Sequence, residues 1–161
     1  MWIFSRSRRK SSDSFRPRII SANRSLPKPS EDSAERLAKR FNLGEFLAKP
    51  IESLSHGTKQ RVAIVSALMH SPEVVVFDEP MVGLDPHHSR VLKDILREQA
   101  DAGVTVFVST HQLSVAEEMA DRIGIMHQGR LVAVGSHEEL QAANRDSTLE
   151  SIFLSLTDDD A

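Results

Sequence analysis

Apolar residues follow strand and helix periods along residues 31–157 of the chain. Continuous β-branched runs at residues 74–77 and 104–108 are typical of parallel strands that are buried on both faces. Helical spacing of apolar residues predicts helices at residues 31–41, 58–70, 86–102, around 116–119 and at 149–156. Short strands at residues 123–126 and 131–134, joined by a turn at 127–130, complete the pattern. Strands that alternate with helices predict an α/β fold with a parallel sheet.

Capping residues support the predicted helix starts. Asp85 followed by Pro86 is an N-cap with proline at the first helical position. Ser136 and Glu139 have the spacing of a capping box, which predicts a further helix after Ser136. His87 and His88 would lie in the first turn after Asp85, where we expect both rings to be solvated rather than to bind a metal.

Residues 1–30 differ from the rest of the chain. They carry many Arg and Ser residues, a single acid at Asp13 and a final Pro-Lys-Pro, with no strand or helix period, so we predict that they are mostly disordered. They could be an organelle transit peptide, a basic arm for nucleic acid or lipid headgroups, or the product of a truncated or shifted reading frame. We favour the last interpretation. The predicted organisation is a basic segment at 1–30, a domain at 31–157 and an acidic tail at 158–161.

Composition narrows the class of protein. The chain has 161 residues, 40% of them hydrophobic, which is enough for one domain with a core. Its formal net charge is -3. The absence of cysteine excludes disulfides and cysteine-based zinc sites. No apolar run approaches the roughly 20 residues that a membrane-spanning helix requires.

Two acids follow the first predicted strand of the domain. Asp78 and Glu79 come directly after the run at 74–77, where open α/β sheets bind their ligands. Mg²⁺ prefers one or two carboxylates together with water and phosphate oxygens, so Asp78 suits the metal. Glu79 could orient or deprotonate an attacking water molecule. Taken alone, the pair could equally begin a solvated turn.

Ser55 and Gly57 lie at the start of the helix predicted at residues 58–70. Unpaired backbone N–H groups and the helix dipole make such a terminus suitable for an anion. Gly57 would allow a phosphate to approach the backbone, and Ser55 would add a hydroxyl donor. Taken alone, these residues could also be an ordinary N-cap and a flexible glycine.

The segment LSHGTKQRVAIVSALMHSPEVVVFDEPMVGLDPHHS, residues 54–89, resembles the signature, Walker B and D-loop motifs of an ABC-type ATPase. The segment VTVFVSTH, residues 104–111, resembles the switch-histidine strand of that family. The resemblance implies that Asp78 binds Mg²⁺, that Glu79 and His111 are catalytic, and that five residues contact ATP: Ser55, His56, Gly57, Gln60 and Asp85. His56 and Lys59 depart from the commonest motif and resemble the export-type branch.

The resemblance covers roughly residues 31–156. None of the seven glycines is followed by Lys-Ser or Lys-Thr, so the printed sequence contains no P-loop of the form GxxxxGK[ST]. It therefore predicts a partial P-loop NTPase fold without the P-loop strand and the β-subdomain. In the family, that strand lies between the strands that correspond to residues 104–108 and 123–126. We expect aggregation, or direct pairing of those two strands.

The resemblance implies an ATP-binding subunit of an ABC transporter, which couples ATP hydrolysis to transport. Its partners would be a permease and a second nucleotide-binding domain in a dimer, and its location would be cytoplasmic and peripheral to the membrane. We expect the chain alone to be inactive, for lack of a P-loop. The alternatives are a non-catalytic accessory subunit that completes a partner's ATP site in trans, or a soluble ABC protein of translation or DNA repair. Nucleic acid is not an expected partner.

Overall fold

A computed structural model describes the backbone of residues 2–6 and the chain at residues 31–144 and 148–157. Its five strands are β1 (Trp2–Arg6), β2 (Val74–Asp78), β3 (Thr105–Thr110), β4 (Arg122–His127) and β5 (Arg130–Gly135). Its six α-helices are α1 (Glu31–Arg40), α2 (His56–Leu68), α3 (Pro86–Asp101), α4 (Leu113–Met119), α5 (His137–Asn144) and α6 (Leu149–Thr157). Two 3₁₀ turns, Gly44–Phe46 and Ile51–Ser53, lead from α1 to α2.

The strands form one mixed sheet in the order β2-β3-β1-β4-β5. β2 and β3 are parallel, and their register pairs Val75 with Val106 and Asp78 with Ser109. β1 is antiparallel to both of its neighbours, and β5 is antiparallel to β4. The carboxyl ends of β2 and β3 therefore meet at one edge of the sheet.

The position of β1 corrects the prediction that β3 and β4 pair directly. Trp2–Arg6 lies between these two strands, and it falls in the segment predicted to be mostly disordered. Phe4 lies opposite Val108 on one side and Ile123 on the other. The physical reason is that β3 and β4 each present a row of backbone N–H and C=O groups that an extended segment can pair. Residues 7–30 and 158–161 lie outside the described residues.

The helices cover one face of the sheet and leave much of the other face open. On the covered face, Val106, Val108 and Ile125 are at most 1% exposed and join the core cluster. On the opposite face, Val76 is 72% exposed and Val134 is 48% exposed. Asp78 follows Val76 by two residues, so it lies on the same open face. At these strands the fold therefore has two layers, the sheet and the helices on one of its faces, although both faces of the strands are apolar.

The helix predictions agree with the structure in place and type. The capping box is confirmed: the Ser136 N–H donates to Glu139 Oε2 at 2.9 Å, and the Glu139 N–H donates to Ser136 Oγ at 3.2 Å. α2 begins two residues before the predicted start, because Ser55 caps it. Arg40 at the end of α1 forms a two-pronged ion pair with Glu98 of α3. Within the described residues, no helix has the length and apolar character that crossing a bilayer requires.

Candidate functional site

The first part of the site is the strand-end cluster, formed by Asp78, Glu79, Ser109, Thr110 and His111. The Ser109 hydroxyl donates to Asp78 Oδ1. Thr110 Oγ1 donates to Glu79 Oε2 at 3.2 Å, and His111 Nδ1 is 2.8 Å from Glu79 Oε1. The parallel register of β2 and β3 brings these residues together at the ends of the two predicted strands. Each Glu79 oxygen retains a lone pair, so the carboxylate can still accept a hydrogen bond from water.

The backbone at Glu79 has an unusual conformation. Its φ is +45°, in the left-handed region that residues with a side chain rarely adopt. The Glu79 N–H donates to the Ser109 carbonyl at 3.0 Å, and Gln60 Nε2 of α2 donates to the Pro80 carbonyl at 3.3 Å. Strained residues of this kind persist only where surrounding contacts hold them, and they cluster at functional sites. Through this hydrogen bond, Gln60 of α2 supports the backbone that directly follows the acidic pair.

The second part of the site is the α2 terminus, residues 55–58. Ser55 is the N-cap, and its Oγ accepts the Thr58 N–H at 3.3 Å. The same Oγ lies 2.9 Å from Thr58 Oγ1, and Thr58 is 3% exposed. Ser55 is thus an N-cap, which was one of the two alternatives for this residue. Ser55 is also exposed, so the helix end remains accessible to an anion.

The glycines of this region serve a close backbone contact. A Cβ on Gly57 would lie 2.5 Å from the carbonyl oxygen of Gly83, and a Cβ on Gly83 would lie 2.4 Å from the His56 ring. The group that approaches Gly57 is therefore the Gly83 carbonyl, where the sequence predicted a phosphate. Through this contact, the α2 terminus packs against the loop that leads to Asp85.

Asp85 lies on the other side of the same loop and caps α3. Its Oδ1 accepts the His88 N–H at 2.9 Å, and its Oδ2 is 2.6 Å from His88 Nδ1. The hydrogen bond from the His88 backbone, followed by that from the His88 ring, lowers the pKa of Asp85 to about 2. A cavity of about 220 Å³ separates this carboxylate from the α2 terminus and is lined by Ser55, Gly57, Thr58, Arg61, Gly83, Leu84, Asp85 and His88.

Three residues of the site were missed or misread in the sequence. His88 was expected to be solvated, yet its side chain is only 13% exposed because Asp85 and Arg61 hold both ring nitrogens. Arg61 and Thr110 lie in the two segments that resemble family motifs, but neither was assigned a role. The i, i+3 spacings of Asp85 with His88 and of Thr58 with Arg61 were readable, since residues three apart share a helix face.

The residues present fit Mg²⁺ and a phosphate group. Among the described residues, no group of three or more His, Cys, Asp or Glu side chains could hold a metal by itself. Asp78 offers a single exposed carboxylate beside the Ser109 hydroxyl, and Mg²⁺ often binds through one such group with phosphate oxygens and water. The donor set thus suits a metal that arrives with a nucleotide.

This chain is similar to ATP-binding proteins of ABC transporters. The family model described as ABC transporter matches residues 5–82. The ABC transporter ATP-binding protein NatA of Bacillus subtilis is 31% identical over 121 residues, which are 75% of this chain and 49% of that protein. The bacitracin transport ATP-binding protein BcrA of Enterococcus faecalis is 38% identical over 120 residues, which are 74% of this chain and 39% of that protein. The chain is thus similar to the ATP-binding proteins of ABC transporters.

Solved members of the ABC family have the same fold. An ATP-binding subunit of an ABC transporter has a TM-score of 0.74 and 33% identity, over 79% of this chain and 55% of that chain. An ATP-binding cassette of another ABC transporter has a TM-score of 0.60 and 26% identity, over 81% of this chain and 53% of that chain. The predicted family and the predicted partial ABC ATPase-like fold are confirmed. The chain spans 49% of NatA and 39% of BcrA, so it matches about half or less of these relatives.

Proposed function

We propose that this ABC-family chain works as an ATP-binding subunit that acts mainly in trans, on a nucleotide held by a partner domain. Residues 55–60 and Asp85 would contact that nucleotide. Asp78 would bind Mg²⁺, Glu79 would activate water and His111 would contact the γ-phosphate at a second nucleotide. That second site requires a P-loop, which the printed sequence lacks.

One observation carries the proposal: the α2 terminus and Asp85 line a single open cavity of about 220 Å³. The first-turn N–H groups of a 13-residue helix favour a negatively charged ligand there. This chain alone supplies the lining of the cavity, which includes Ser55, Gly57, Gly83 and Asp85. The strand-end cluster, in contrast, offers one metal ligand and one base but no cradle of backbone N–H groups for phosphates.

The proposal includes a permease and a second ATP-binding domain as partners, and hence a position at the cytoplasmic side of a membrane. The open face of the sheet supports a partner, because Val76 and Val134 are large apolar residues left in contact with solvent. NatA is named as an ATP-binding protein of an ABC transporter, and BcrA as an ATP-binding protein of bacitracin transport. Both names support a position beside a permease.

The isolated chain should neither bind ATP measurably nor hydrolyse it. Backbone amides and the lysine of a P-loop supply most β- and γ-phosphate contacts, and the loss of even one such donor typically lowers a rate by about 10²- to 10³-fold. The measurement is Mg²⁺-dependent phosphate release by the purified full chain. Turnover that disappears in the Glu79→Gln variant would contradict this expectation.

The main experiment measures steady-state ATP turnover of the chain in complex with an intact ABC ATP-binding subunit from the same organism. Ser55→Arg should abolish any stimulation of the partner, because a bulky side chain would enter the phosphate interface. Glu79→Gln should change little. Ser66→Arg, on an exposed position of the same helix, is the matched control for the added charge and should also change little. If Glu79→Gln abolishes turnover while Ser55→Arg is silent, the chain has a working site of its own and the proposal fails.

A further inference from the structure

A continuous series of hydrogen bonds joins Asp85 to Ser55 through the side chains of His88, Arg61 and Thr58. His88 Nδ1 is 2.6 Å from Asp85 Oδ2, and His88 Nε2 is 2.9 Å from an Arg61 terminal nitrogen. The other Arg61 terminal nitrogen donates to Thr58 Oγ1 at 2.9 Å, and Thr58 Oγ1 lies 2.9 Å from Ser55 Oγ. We call these five residues the relay.

Arg61 is the centre of the relay. Besides His88 and Thr58, its guanidinium donates to the Phe41 carbonyl at 2.7 Å and to the Gly57 carbonyl at 3.3 Å. Phe41 follows α1, Gly57 lies in the first turn of α2, and His88 lies in the first turn of α3. The planar guanidinium with its fixed donors therefore sets three helices relative to one another.

The chemistry of Arg61 fixes the tautomer of His88. A guanidinium only donates hydrogen bonds, so His88 Nε2 must accept, and the proton of a neutral ring must lie on Nδ1. That proton points to Asp85 Oδ2. A second proton, on Nε2, would direct an N–H group at a cation and would break the contact with Arg61. His87 is a further titratable side chain beside the ring, and the two ring centroids are 5.2 Å apart.

We propose that His88 and Arg61 are positioning residues that hold the Asp85 loop and the Ser55 helix terminus as one unit, and that this unit requires neutral, Nδ1-protonated His88. The relay itself rests only on the hydrogen-bond distances given above. Its effect on ATP turnover rests on the proposed function, in which Ser55 and Asp85 face one nucleotide. Acidification that protonates His88 would uncouple the two elements at the far ends of the relay.

The first test is NMR of the ¹⁵N-labelled full chain without substitution. Near neutral pH, the His88 ring should give a pyrrole-type Nδ1 and a pyridine-type Nε2 resonance. On acidification, the amide signals of Ser55 and Thr58 should shift together with the signals of the His88 ring. A ring protonated on Nε2 alone, or Ser55 and Thr58 signals that ignore the His88 titration, would overturn the proposal.

Variants separate the relay from general destabilisation. In His88→Gln, an amide oxygen can still accept from Arg61 but cannot titrate, so the pH-dependent shifts of Ser55 and Thr58 should vanish. His87→Gln, an exposed neighbour on the same helix turn, is the matched control and should keep them. Persistence of the shifts in His88→Gln would contradict the relay.

ATP turnover of the partner complex adds a functional readout. The pH profile should lose its acidic decline in His88→Gln and keep it in His87→Gln. If the NMR results support the relay but Ser55→Arg leaves turnover unchanged, the proposed function fails while the relay stands. If Ser55→Arg abolishes turnover and the NMR shifts are absent, the relay fails while the proposed function stands.

Discussion

Two glycines make different demands on the chain, which permits a controlled comparison. Gly83 has a φ of +81°, and a Cβ there would also strike the His56 ring. Gly103 has a φ of +95° with nothing near its missing Cβ. Gly103→Ala should therefore cost about 1–2 kcal/mol of unfolding free energy from backbone strain alone. Gly83→Ala should cost about 1–3 kcal/mol more, because the ring must move.

Urea unfolding of the single and double variants measures both costs. On a His56→Ala background the steric part of the Gly83→Ala cost should vanish, so the remaining cost should approach that of Gly103→Ala. An unchanged cost for Gly83→Ala on that background would mean that His56 does not pack on the loop.

Asp85 makes stability depend on pH in a defined window. Its pKa is about 2 in the folded chain against an ordinary value of 3.8, because His88 donates two hydrogen bonds to it. A depressed carboxyl pKa stabilises the fold above its unfolded value and loses that effect as pH falls through the folded value. The difference in Tm between wild type and Asp85→Asn should shrink as pH falls from about 4 to about 2.

Differential scanning fluorimetry across that range is the measurement. Asp94→Asn, farther along the same helix, serves as the control, because it lies outside the first turn that Asp85 caps. A wild-type advantage that grows on acidification would contradict the hydrogen bonds at Asp85.

At the level of elements, most helices and strands could be predicted because they carry local chemistry. The Ser136 and Glu139 capping box, and Asp85 before Pro86, mark helix starts that the structure reproduces. Asp78 and Glu79 were expected at the end of a strand, and the parallel register of β2 and β3 places them beside Ser109 and His111. Local patterns of this kind depend only on neighbours in sequence.

Contacts between distant parts of the chain could not be predicted in the same way. Five residues are too few to show a period, so Trp2–Arg6 gave no strand pattern, and its place depends on the unpaired edges of β3 and β4. The burial of His88 depends on Arg61, which lies on another helix. The φ of +45° at Glu79 depends on the surrounding hydrogen bonds and not on residue type.

Cross-linking can test the register of β1 directly, because the sequence contains no cysteine. Ser5 lies opposite Phe107 of β3, and opposed residues in a sheet have Cβ atoms about 4.5–5.5 Å apart, close to disulfide geometry. The pair Ser5→Cys with Phe107→Cys should therefore form a disulfide rapidly under mild oxidation. The pair Ser5→Cys with Val106→Cys should not, since neighbouring residues point to opposite faces.

Thiol titration and mass spectrometry would score both double variants. Rapid linkage of the Val106 pair instead of the Phe107 pair would indicate a one-residue slip, and linkage of neither would mean that β1 does not lie beside β3. The Ser5→Cys and Phe107→Cys single variants control for links between molecules.

For the whole molecule, the two parts of the site differ in whether the chain supplies a place for a phosphate group. The α2 terminus and Asp85 are assembled around one cavity, whereas the strand-end cluster has carboxylates and a histidine without a phosphate-binding loop in the printed sequence. In the proposed function, the apolar residues on the open face of the sheet belong to a chain that acts beside a second ABC domain. The proposed function thus predicts an asymmetric pair with one occupied nucleotide site.

The number of nucleotides bound by that pair tests this central claim most directly. The full chain would be purified in complex with an intact ABC ATP-binding subunit of the same organism, and binding of a non-hydrolysable ATP analogue with Mg²⁺ would be measured by equilibrium dialysis. The partner's own dimer, which has two complete sites, calibrates the count. The account predicts one nucleotide per mixed complex, lost on Ser55→Arg and retained on Glu79→Gln. Two nucleotides per complex, or failure of the chain to form a complex with any such subunit, would contradict it.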